Sequence, residues 1–66
     1  MDRERLFGIF KEAIEDEQKA HHFYLNAAAA TTDTEIKKTF EELARTELYH
    51  AEILQEKYKE LRERTS

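Results

Sequence analysis

Apolar residues recur at alternating steps of three and four along nearly the whole chain. In the first half the stripe reads Phe7, Phe10, Ile14, Glu17, His21, Tyr24, Ala28; in the second it reads Ile36, Phe40, Leu43, Glu47, His50, Leu54 and Leu61. That spacing places each set on one face of an α-helix. Proline is absent and Gly8 is the only glycine, so little interrupts either run. The pattern predicts two long helices, at about residues 2–30 and 34–62, with Asp2 as the first N-cap. The break falls at Thr31-Thr32-Asp33-Thr34, whose short polar side chains compete for backbone hydrogen bonds. Thr32 with Glu35 fits a capping box, and Asp33 is an alternative N-cap. The expected fold class is all-α: a single domain over residues 1–66, folded as a two-helix antiparallel hairpin with its turn at about 31–33.

Apolar positions also flank the stripe on both helices: Leu6, Ala13, Ala20 and Ala27 on the first, Ala44, Ala51 and Tyr58 on the second. One neighbouring helix cannot cover so wide a face. A second copy of the hairpin would, and a two-fold dimer would complete a four-helix bundle. A chain of 66 residues is marginal alone, which argues the same way.

Three polar residues interrupt the apolar stripe instead of the solvent face. Glu47 and His50 form a Glu-x-x-His pair, and Glu17 lies as far before residue 32 as Glu47 lies after it. In a hairpin the two carboxylates therefore reach the same level, with His50 one turn further along. An ionised carboxylate in an apolar setting costs several kcal/mol unless its charge is compensated. No Arg or Lys occupies the stripe at that level, so a buried salt-bridge cluster fits poorly, whereas a metal ion fits. Alanines 20, 44 and 51 leave room beside it. In a dimer the count doubles to four carboxylates and two imidazoles, enough to neutralise and hold two divalent cations. Carboxylate with imidazole suits iron, with manganese as the other candidate, better than calcium.

Composition removes other classes of function. With 11 Lys plus Arg against 15 Asp plus Glu, the net charge is -4, which argues against a nucleic-acid surface. Cysteine is absent, excluding disulfides, thiolate zinc sites and iron-sulfur centres within these residues. The longest apolar run, Ala27 to Ala30, is far short of a membrane span, and no apolar signal segment follows the charged start. The expectation is a cytoplasmic protein without a membrane or nucleic-acid partner.

The segments from Ala13 to Tyr24 and from Phe40 to Ala51 resemble one half of the rubrerythrin and ferritin-like di-iron carboxylate family. There, one helix carries Glu, a small residue three on and Tyr seven on, and its partner carries Glu-x-x-His-Ala about thirty residues later. Glu17, Ala20, Tyr24, Glu47, His50 and Ala51 match, and the likeness covers roughly residues 10–58. It implies two iron ions at each dimer interface, with Glu47 bridging, His50 terminal, and Glu17 terminal or bridging. The implied activity is oxidation of Fe(II) or reduction of oxygen or peroxide. Full-length members resemble two such hairpins in tandem; this chain has one, like subunits of the encapsulated-ferritin type. The rubredoxin-like cysteine centre is missing, so the resemblance implies an external, unknown electron donor. Ala20 also stands where rubrerythrins carry a further ligand, and Thr46 where many members have Glu.

Tyr24 is the candidate catalytic residue outside the ligand set, as a hydrogen-bond donor to a ligand carboxylate or an electron carrier; an aromatic there also serves simply as core. His21, one turn after Glu17, is a candidate hydrogen-bond donor behind a ligand or an ion-entry residue. His22 lies off the stripe. The competing functional reading is a helical binding module that carries a structural metal or none.

Overall fold

In a computed structural model, which describes residues 1–65, the chain is two helices and a three-residue turn. Helix α1 spans Arg3–Ala30 and α2 spans Thr34–Thr65. Cross-helix ring contacts fix their antiparallel sense: Tyr58 meets Phe7 and Phe10 at the open end, and Tyr24 meets Phe40 near the turn. The result is a rod of 49 × 15 × 14 Å. It has the architecture of half a four-helix bundle, which points to self-association.

Local chemistry sets the helix ends. Asp2 accepts the backbone N–H of Arg5 at 2.7 Å and caps α1. At the start of α2 the cap is Asp33, whose Oδ1 accepts from Glu35 and Ile36 N–H at 3.0 and 3.1 Å. Of the two caps the sequence offered, Asp33 is the one formed, because it immediately precedes the first helical residue. Thr31, extended at φ -96° and ψ 144°, ends α1, and its Oγ1 accepts from Asp33 N–H at 3.2 Å. Helix α2 runs past Arg62, where the sequence suggested an end, to Thr65. No glycine or proline stops it, and Arg62 and Arg64 in its last turn favour the negative end of the helix dipole.

On α1 the contact face is the one read from the sequence: Phe7, Phe10, Ile14, Glu17, His21, Tyr24 and Ala28 are all buried or half-buried. On α2 the face is rotated. Phe40, Ala44, Glu47, Ala51, Leu54, Tyr58 and Leu61 turn inward, while Ile36, Leu43 and His50 are exposed. Ala44 and Ala51, each 1% exposed, form the middle of the seam. Packing explains the difference, since Tyr58 stacks against α1 at one end and Phe40 at the other, and the line joining them passes through the alanines. Aromatic layers therefore close both ends, and small and polar residues occupy the level between them.

The hairpin buries little. Among the described residues the buried apolar ones are Ile14, Ala28, Ala44 and Ala51, three of them alanines with one methyl each. Ile9, Phe23, Ile36, Leu43 and Ile53 remain 38–67% exposed. From the helical phase, Ile9 and Phe23 on α1 and Ile36 and Leu43 on α2 flank the same side of the hairpin as Glu17, Glu47 and His50. No helix among the described residues is long and apolar enough to cross a membrane.

Candidate metal centre

Glu17, Glu47 and His50 meet at the middle of the rod. Each offers a ligand atom, and these atoms lie within 4.8 Å of one another. Glu17 sits on the α1 seam at the midpoint of its helix. Glu47 and His50, three residues apart on α2, straddle the same level. His50 Nδ1 is 3.4 Å from Glu17 Oε2, with the imidazole side chain 47% exposed and the Glu17 side chain 27%. An open cleft of about 260 Å³ borders the site, lined by Glu17, His50, Ile53 and Leu54. Ile53 and Leu54 carry no chemistry of their own and passed unnoticed as site residues in the sequence; Ile53, three residues after His50, shares its helix face.

The electrostatics leave one oxygen unprovided for. Glu17 Oε2 is buried and accepts no hydrogen bond; the His50 contact is close enough to attract an imidazolium but does not form one. A buried acceptor left in this condition costs about 1–3 kcal/mol. Beside it, Glu47 has its pKa raised above the ordinary 4.5, chiefly by a hydrogen bond with Glu17, then by burial and by the Glu17 charge, with His50 pulling the other way. The raised pKa of Glu47 and the unsatisfied oxygen of Glu17 are what carboxylates crowded together without a cation show. The donor set of two carboxylates and an imidazole, opening onto an uncovered face, fits a divalent iron or manganese ion.

The other candidates are placed differently. Tyr24 lies two helical turns from Glu17, about 10 Å along α1, with its ring stacked on Phe40 at 6.3 Å and edge-on to Phe23 at 5.4 Å. His21 lies one turn from Glu17 and bonds across the hairpin, its Nδ1 2.7 Å from the Ala44 carbonyl oxygen. His22 is exposed, its ring 5.3 Å from that of His21. The structure thus brings Glu17, Glu47 and His50 together and leaves Tyr24 and His21 on the turn side of them.

Comparison with curated proteins and with solved structures gave no significant match. A family model described as Rubrerythrin matches residues 8–66, a span that contains both helices of the site and nearly the whole chain. The helical hairpin, its paired carboxylates with a histidine, and this match together place the chain in the rubrerythrin family of ferritin-like di-iron carboxylate proteins.

Proposed function

We propose that two copies of the hairpin pair through the face carrying Glu17, Glu47 and His50 and hold two iron ions between them, acting as a ferroxidase or an oxygen- or peroxide-reducing centre. The observation that carries this reading is the buried, unsatisfied Oε2 of Glu17 next to Glu47 and His50. Membership of the family supports iron as the metal, and manganese satisfies the same donors. When bound, such a pair of ions supplies electron exchange with dioxygen or peroxide.

The protein's residues have separate tasks. Glu47, whose pKa is raised beside Glu17 in the metal-free chain, would hold the metal as a carboxylate once deprotonated. Glu17 offers the oxygen that no hydrogen bond reaches. His50, on the outer edge of the site, adds a neutral nitrogen. Ile53 and Leu54 restrict water at the cleft once a second hairpin covers it. Tyr24 is assigned the relay of an electron to or from the site, and the donor or acceptor beyond it is a separate protein or small molecule.

The test is anaerobic loading with Fe(II), followed by oxygen, on protein of measured oligomer mass. Expected are one iron per chain, oxygen uptake and a rise in near-ultraviolet ferric absorbance. Both signals are lost in Glu17→Ala and His50→Ala and kept in His22→Ala. Tyr24→Phe should slow turnover without changing iron stoichiometry. Binding of iron without oxygen uptake would favour the structural-metal reading, and wild-type oxidation in Glu17→Ala would overturn the site.

A further inference from the structure

The hydrogen bond from His21 to α2 joins the two helices one turn away from the carboxylate pair. His21 is four residues beyond Glu17 on α1, and Ala44 is three residues before Glu47 on α2. In an antiparallel hairpin both displacements run toward the turn, so the bond lies parallel to the Glu17–Glu47 pair. Its length is 2.7 Å and it is partly buried. A carbonyl oxygen only accepts, so Nδ1 must carry the hydrogen, which fixes the ring's tautomer when it is neutral. The Ala44 carbonyl has two lone pairs; one serves the helical N–H of Leu48 and the second serves His21.

We propose that His21 is a positioning residue of the metal centre: its Nδ1–H to Ala44 oxygen bond sets the axial register of α1 against α2 and so the separation of Glu17 from Glu47. This inference rests on the metal-site reading above. The α2 seam on either side of Glu47 is made of small residues, Ala44 one turn before it and Ala51 one turn after, each 1% exposed, and among the described residues Ile14 is the sole large apolar side chain that is buried. Alanine against a helix backbone resists sliding weakly, because a methyl group has no deep groove to lock into. The aromatic contacts that resist it are Tyr58 on Phe10 at the open end and Tyr24 on Phe40, the latter one turn beyond the His21 bond on the side away from Glu17. The His21 bond stands between that stack and the carboxylate pair, a directional contact one turn from Glu17 and Glu47 where the facing side chain, Ala44, is small. Residues that orient ligands in this way typically change metal affinity by about 10 to 100-fold when removed.

The probe is cobalt(II), whose visible bands report ligand geometry without any turnover. His21→Leu keeps bulk and removes the donor. His21→Asn places an N–H donor on the same γ carbon and restores it. Expected are folded proteins by circular dichroism, cobalt binding weakened about 10 to 100-fold with altered band shape in the Leu variant, and recovery of both affinity and bands in the Asn variant. Should His21→Leu fail to fold, His21→Gln replaces it, since its amide sits one carbon further out; Gln weaker than Asn supports the bond, and Gln equal to Asn overturns it. Wild-type affinity and spectrum in folded His21→Leu overturns the inference alone, provided Glu17→Ala abolishes binding. Unchanged binding in Glu17→Ala overturns the metal site and the inference with it.

Discussion

At the scale of single residues, the site is a carboxyl pair in which Glu47 holds its proton more readily than a free carboxyl does. Glu47's pKa is raised above 4.5, chiefly by its hydrogen bond with Glu17, so the metal-free fold binds this proton more tightly than the unfolded chain does. Its stabilisation is complete below pH 4.5 and disappears as pH rises through the raised value in the folded protein. In chelator, wild-type melting temperature should fall across that window relative to Glu47→Gln, whose amide keeps a donor toward Glu17 at every pH. At neutral pH the variant should melt at or above the wild type, yet lose the rise that Fe(II), Mn(II) or Co(II) gives the wild type. Thermal scans from pH 4 to 8, with and without metal, check both halves; parallel curves for the two proteins would show that the pair shares no proton. The residue types were legible in the sequence because polar side chains stand where apolar ones belong. Which carboxyl takes the raised pKa and which oxygen is left unsatisfied were not, since they depend on distances of a few ångströms across the hairpin.

At the scale of the elements, each helix start is held by a short acidic side chain. Asp33→Ala should destabilise the protein by about 1 kcal/mol, because Asp33 alone satisfies two orphan N–H groups. Thr32→Ala should cost about a few tenths of a kcal/mol at most, since of the two alternative caps it is Asp33, and not Thr32, that accepts the N–H groups. Urea titrations at one protein concentration distinguish the two. Gly8 lies in the exposed part of α1, and a Cβ added there meets nothing within 4 Å; Gly8→Ala should therefore stabilise by about 1 kcal/mol. A loss instead would locate a second chain against Gly8. Helix existence was readable from the repeat and the lack of breakers. The rotation of α2 was not, because Leu43 and Ala44 are neighbours that fit two adjacent seams, and the stacking of Tyr58 and Phe40 on α1 selected the alanine seam.

At the scale of the whole molecule, the hairpin is short of burial. A compact monomer of 7.9 kDa exposes about 4,400 Å², whereas this chain exposes 5251 Å². The excess, about 800 Å², is the area one partner contributes to a stable interface. Sedimentation at micromolar concentration should show at least a dimer. Leu43→Lys puts a charge on the exposed apolar side next to the site, one helical turn from Glu47, and should shift the mass toward monomer and abolish the metal-dependent rise in melting temperature. A monomeric wild type that binds metal with full stoichiometry would contradict the shared centre.

Two helices, their turn, and a level at which Glu17 faces Glu47 and His50 follow from the sequence, because helical periodicity and equal spacing about the turn are properties of chain order alone. Tertiary structure decided what depends on the azimuth of one helix against the other. It turned Ala44 and Ala51 inward, left His50 and Leu43 on the open side, drew His21 to the Ala44 carbonyl, and buried one oxygen of Glu17 without a partner. A helix repeat specifies a face only to within the width of one side chain, and large rings packed at the ends of the rod resolved what remained.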